Sequence, residues 1–154
     1  MFKFQQRTAV LISTACGSFL TPYMAASVNI ALPSIGRELG MDAVMLSWVS
    51  TAYLLSAAVF LLPFGRLADI YGRKKVFFWG IVISTASAFF SALSFSAPML
   101  LVFRVLNGAG ASMVFGTAIA ILISEFPPSK RGRVIGINVG ATYLGLSLGP
   151  VLGG

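Results

Sequence analysis

Histidine is absent from the 154 residues, and cysteine occurs once, as Cys16. Without histidine, neither a Ser-His-Asp triad nor a histidine-containing zinc site can be assembled. A lone cysteine excludes a disulfide framework within the chain, and there is no C-x-x-C pair to hold a metal. Cys16 reads as a small packing residue rather than a reactive thiol. Acids are also scarce: Glu38, Asp42, Asp69 and Glu125 are the four in the chain. No nucleophile–base constellation is visible, so an enzyme is the least expected class, and no cofactor is implied. Charged residues make up 10% of the chain, against about a quarter in a soluble domain. So little charge cannot cover a surface that faces water on every side.

What takes the place of charge is apolar surface. Hydrophobic residues make up 57%, with 13 Phe, and the mean hydropathy is +0.91. The 16 glycines suit membrane helices, where a missing side chain lets two backbones approach. A net charge of +7 would suit a nucleic-acid partner. The basic residues, however, sit between long apolar runs, so the expected environment is a lipid bilayer and not nucleic acid. A bilayer-crossing helix needs about 20 mostly apolar residues. Five such spans are expected, at 8–35, 44–64, 76–94, 98–123 and 134–154. They predict an all-α transmembrane fold. Residues 1–7 resemble the basic start of a signal peptide, and Ala25 and Ala26 offer small residues for cleavage. The apolar run continues past them and further spans follow, so a retained span is expected.

The connections at 36–43, 65–75, 95–97 and 124–133 are too short for a domain. Sequential helices are therefore expected to pack as antiparallel neighbours. Pro98 suits a helix start, and Pro127 with Pro128 is expected to end the fourth helix. Pro22 and Pro33 are expected to bend the first. Nine of the eleven basic residues fall on one side: Lys3, Arg7, Arg66, Arg73, Lys74, Lys75, Lys130, Arg131 and Arg133. Positive loops stay in the cytoplasm, so the N-terminus is expected inside. On the other side, Arg37 is offset by Glu38 and Asp42. Arg104 falls inside a span, ~9 Å beyond Pro98 at ~1.5 Å per residue. A charge near a helix centre costs ~2.5–3.5 kcal/mol on insertion scales, so Arg104 should face a wet cavity or a partner.

The string GRLADIYGRKKV at 65–76 is the most specific in the chain. Gly65 and Gly72 would permit a tight reversal. Asp69 and Arg73 are four apart and can pair if the turn is helical, or Asp69 can cap the next helix. A purely topogenic basic loop would account for the charge but not for the Gly-Asp-Gly-Arg spacing. The string resembles motif A of the major facilitator superfamily, G-x-L-a-D-r-x-G-r-k-x, departing only at Ile70. NIALPSI at 29–35 and WVSTAY at 48–53 resemble the drug:proton antiporter branch with fourteen spans. RVLNGAGA at 104–111 is similar to motif B, with Asn107 where the family has Gln. GLSLGPVLGG at 145–154 matches the antiporter motif C, g-x-x-x-G-P-x-x-G-G.

The resemblance implies the first five helices of an N-terminal six-helix bundle. It leaves the sixth helix and the C-terminal half outside this chain, so residues 1–154 alone are expected not to transport. It implies a secondary transporter, a proton-coupled exporter of drugs or other amphipathic small molecules, multi-pass in a prokaryotic-type plasma membrane. Its partners would be the bilayer, the solute, protons and the remaining transporter half. The motif A residues Gly65, Asp69, Gly72 and Arg73, with Glu125, would latch the two halves. The motif B residues Arg104, Asn107 and Gly108 would serve coupling. In motif C, Gly145, Gly149, Pro150, Gly153 and Gly154 would pack and kink the fifth helix. Gly136 and Gly140 form a second G-x-x-x-G pair. Met24, Asn29, Trp48, Tyr53 and Asn107 are candidates for lining a cavity, with packing or interfacial anchoring as the alternative. The branch carries an aspartate where this chain has Met24, and no acid is expected at mid-membrane. Two readings therefore stay open beside the exporter: a metabolite transporter not coupled to protons in the usual way, and a non-transporting membrane scaffold.

Overall fold

A computed structural model describes residues 2–153, with side chains from residue 5 to residue 152. It contains five helices: α1 (Phe2–Glu38), α2 (Ala43–Tyr71), α3 (Arg73–Ala92), α4 (Ala97–Glu125) and α5 (Pro128–Gly153). All five are long and apolar enough to cross a bilayer. Hydrocarbon offers peptide groups no water to bond, so a helix that satisfies its own backbone is the available solution. The sides of the bundle carry large exposed apolar residues such as Leu62, Phe78, Phe89 and Val151, as lipid contact requires.

The helices reach further than the apolar runs. α1 starts at Phe2 rather than near residue 8, and α5 starts at Pro128 rather than near 134. Pro127 and Pro128 do interrupt the chain after Glu125. Pro128 also opens α5, because a first-turn residue has no intrahelical partner for its N–H and proline lacks one. The largest correction concerns 65–75, which is not a loop. α2 continues through Gly65 to Tyr71, and Gly72 alone separates it from α3. Gly72 takes φ +101°, a conformation that side-chain-bearing residues rarely adopt, and its N–H donates to the Ala68 carbonyl at 3.0 Å. Ala68 is buried against Val76 and Met113, which pins the reversal to the bundle. Gly65 is an ordinary helical position with open space beside it. Asp69 does not cap α3; that position belongs to Gly72, with no side-chain bond. A cap does occur at Asp42, whose Oδ1 accepts from the Met45 N–H at 2.7 Å to start α2.

Of the sequential pairs, α3 and α4 pack extensively, while α1–α2, α2–α3 and α4–α5 touch lightly. α4 packs on α2 and α3, whereas α1 packs on α5. Small residues decide this. Gly108 of α4 sits on the Tyr53 carbonyl and Ser56 of α2, so a Cβ there would collide with backbone. Gly80 and Ser84 of α3 face Gly110 of α4 in the same way. Gly145 of α5 sits on the Phe19 carbonyl of α1, and Gly149 sits on Tyr23 and Ala26. These contacts advance in step along α1 and α5, so the two run parallel. Gly136 and Gly140, by contrast, face open space and are not a packing pair among the described residues.

Hydrogen bonds fasten the same seams. Ser56 Oγ donates to the Val105 carbonyl at 2.6 Å, and Asn107 Nδ2 donates to the Ser84 carbonyl at 2.9 Å. Ser27 Oγ lies 3.1 Å from the Gly149 carbonyl, across the α1–α5 seam. Between α1, α3 and α4, Phe77, Val114, Ala118 and Ile121 form an apolar core with Val10 and Ile81 packed against it.

Gly108→Ala forces a backbone shift, and overpacking costs ~1–3 kcal/mol. We expect it to lower the melting temperature in detergent by roughly 2–10 °C, whereas Gly136→Ala leaves it unchanged or raised. Asn107→Ala removes one inter-helix bond and is expected to destabilise by about 0.5–1.5 kcal/mol. Thermal unfolding followed by intrinsic fluorescence reads all three variants.

Candidate functional site

Among the described residues, Arg104 is the one charged side chain buried within a span. It sits seven residues after the start of α4 and is 3% exposed. Its guanidinium carbon lies 5.9 Å from the centre of the Tyr53 ring on α2, within range of a cation–π contact. Its Nε and Nη2 are buried and have no hydrogen-bond partner. Each unpaired buried donor is costly, because the hydration it gave up is not replaced. None of the four acids answers it. Glu38 ends α1, Asp42 caps α2, Asp69 lies in the last turn of α2 and Glu125 ends α4.

Arg104 lines an open-sided cavity of about 300 Å³ between α1, α2, α4 and α5. Asn29, Ser50 and Tyr53 also line it. Asn29 Oδ1 accepts from Ser50 Oγ at 2.9 Å, a bond between α1 and α2. The rest of the wall is mostly small or apolar, including Pro22, Ala25, Ala26, Ala57 and Leu146. Three candidates lie elsewhere. Met24 is half-buried and off the cavity wall. Trp48 is 51% exposed near the start of α2, where an indole suits the membrane–water interface. Asn107 faces α3, not the cavity, and holds the α3–α4 seam. Its motif B neighbour Gly108 serves the α2–α4 seam.

A second cluster forms where α2 turns into α3. Arg73 Nε and Nη2 donate to Asp69 Oδ1 at 3.1 and 3.0 Å, and Nη1 donates to the Ala120 carbonyl at 3.3 Å. The pair bridges the break at Gly72 rather than lying within one helix. Glu125 also reaches the cluster. It pairs with Lys74, not directly with Arg73. The first residues of α3 thus tie both the last turn of α2 and the end of α4. The Asp69–Arg73 pair is open to solvent, with 64% and 43% of the side chains exposed, so its strength is that of a surface pair, ~0–1 kcal/mol.

Motif C forms the α1–α5 seam through Gly145 and Gly149, and α5 continues through Pro150. Gly153 is the last residue of α5, and Gly154 lies outside the described residues. Sequence reasoning missed Lys74, Ser50 and Asn138. Asn138 is 3% exposed on α5 and its Oδ1 has no partner. The polar pair Asn138 and Thr142, four apart in an apolar run, was the available signal; Thr142 Oγ1 donates to the Asn138 carbonyl at 3.1 Å.

Comparison with known proteins agrees with this arrangement. The chain is 31% identical over 150 residues to the riboflavin transporter RibZ of Clostridioides difficile (strain 630), covering 97% of this chain and 33% of that protein. It is 36% identical over 145 residues to the multidrug resistance protein Stp of Mycobacterium tuberculosis (strain CDC 1551 / Oshkosh), covering 94% and 27%. It is 32% identical over 153 residues to the cephamycin export protein CmcT of Amycolatopsis lactamdurans, covering 99% and 32%. The chain thus spans about a third of the length of these relatives, or less. Its fold matches the crystal structure of a bacterial homologue of the human lysosomal transporter Spinster, in an inward-facing and unoccupied conformation. That match has a TM-score of 0.87 at 21% identity, over 96% of this chain and 31% of that one. The family model described as Major Facilitator Superfamily matches residues 14–154. With five apolar helices and that match across nearly its whole length, the chain belongs to the Major Facilitator Superfamily and is a multi-pass membrane protein.

Proposed function

We propose that these five spans serve a secondary transporter that exports amphipathic small molecules in exchange for protons across a prokaryotic-type plasma membrane. The observation that carries this reading is a buried arginine on the wall of a largely apolar cavity between four helices. Transporter sites of this kind lie near the midplane between two helical halves. The remaining half would close the open side of the cavity. Relatives named as multidrug resistance and cephamycin export proteins support export as the direction. The N-terminus is cytoplasmic on this reading, because nine basic residues then fall on the cytoplasmic side.

The residues take separate roles. Asp69–Arg73 and Lys74–Glu125 form a latch at the cytoplasmic end, tying α3 to α2 and α4 in one access state. A gate between states a few kcal/mol apart can be biased by contacts this small. Gly145 and Gly149 keep α5 tight on α1, sealing the bundle beside the cavity. Arg104 links the solute site to coupling. The proton carrier itself is a carboxylate supplied by the remaining half, since the four acids here all sit at helix ends. A metabolite transporter without ordinary proton coupling is the second reading, favoured by the riboflavin transporter among the relatives and by Met24 in place of an acid.

The test is flux in proteoliposomes holding the full-length transporter. An imposed proton gradient is expected to drive solute uphill, and flux indifferent to the gradient would turn the reading to the metabolite transporter. Arg104→Ala is expected to lower the flux at least about tenfold, the effect of ~1.4 kcal/mol on the barrier. Asp69→Asn is expected to shift the balance of access states by no more than about fivefold, as befits a surface pair. Labelling of a single cysteine at the cytoplasmic mouth measures that shift.

A further inference from the structure

We propose that Arg104 anchors the anionic group of the transported solute, so that this cavity takes amphipathic carboxylates in preference to organic cations. The inference rests on the transport reading above and names its substrate class. Its foundation is geometric. Arg104 is 3% exposed and lines a cavity of about 300 Å³, and its Nε and Nη2 are covered and without a hydrogen-bond partner. Arginine does not discharge in proteins, so the charge cannot be removed by losing a proton. The Tyr53 ring offsets part of the burial cost but accepts no hydrogen bond in the plane of the fork. Nε and Nη2 form the edge that a carboxylate meets with two parallel bonds, but both are covered in this structure, so the anchor acts first through a charge that no carboxylate of the five spans neutralises.

The surroundings define the rest of the ligand. Asn29 and Ser50 supply neutral hydrogen-bonding groups, while Pro22, Ala25 and Leu146 supply apolar wall. The volume is at the small end of the range for organic ligands. A carboxylate on a compact apolar or aromatic body fits that description. A cationic solute would instead meet a like charge at short range with little water to screen it, and no carboxylate of the five spans stands opposite.

The experiment uses the full-length transporter in nanodiscs of zwitterionic lipid, with empty nanodiscs subtracted. Three probes of one shape are compared by calorimetry: 2-naphthoate, 2-naphthamide and 2-naphthylmethylammonium. The expected order is carboxylate tightest, by about ten- to a hundredfold over the amide, with the ammonium weakest. Arg104→Gln is expected to bring carboxylate and amide together, and Arg104→Lys to keep a reduced preference. If Arg104→Gln does not fold, the ranking in the unaltered protein decides alone. Equal affinities would mean that water satisfies the guanidinium, and tightest binding of the ammonium would mean that a carboxylate from the remaining half neutralises it. Either result overturns the proposal. Flux separates the two readings. Tight naphthoate binding without transport keeps the anion site and removes the transporter. Transport of the ammonium probe, unchanged in Arg104→Gln, keeps the transporter and removes the anion site.

Discussion

Helices that lie in hydrocarbon gain nothing from hiding apolar side chains against each other, because lipid tails are just as apolar. What remains is close packing, and close packing needs places where one backbone can touch another. In this chain those places are Gly108 on Tyr53, Gly110 against Gly80 and Ser84, and Gly145 and Gly149 along α1. Each allows an approach that even a methyl group would prevent. The hydrogen bonds from Ser56, Asn107 and Ser27 lie on the same seams, since only there do donors reach the neighbouring carbonyls. Helix pairing, the shape of the cavity and the placement of Arg104 all follow from where glycines fall.

Arg104 is the point at which that packing serves chemistry. Seven residues into α4, it is buried, with its guanidinium against the Tyr53 ring. A well-packed bundle would exclude such a residue. Its persistence beside a cavity with small walls is a local conflict of the kind that functional sites tolerate. On the proposed reading, stability and function divide motif B between them. Arg104 faces the cavity, while Asn107 and Gly108 hold α4 to α3 and α2.

How much of this could be read beforehand depended on the range of the interaction. Five spans were legible because each apolar run is a local property, and Arg104 stood out because a charge inside such a run has no local excuse. Helix ends were less legible. Residues 65–71 look like a loop because they are polar, yet a polar segment can stay helical once it leaves hydrocarbon, and Ala68 packs inward. Helix partners were the least legible feature. Short connections suggested sequential pairing, but the two G-x-x-x-G pairs on α5 look alike in sequence, and only the Gly145 pair meets a backbone. The Lys74–Glu125 pair was hidden for the same reason, since it joins residues 51 positions apart through a turn whose form had to be known first.

The contacts also divide the chain into unequal blocks. α1 and α5 cling to each other, α2, α3 and α4 cling to each other, and the two groups touch more lightly. The cavity lies on the join, with Asn29 and Thr142 on one bank and Ser50, Tyr53 and Arg104 on the other. Sliding the pair along the triplet would widen or narrow the chamber without breaking a single intrahelical bond. On that view the arginine sits on the bank of a shear plane, and whatever bridges to the far bank sets how freely the two blocks move.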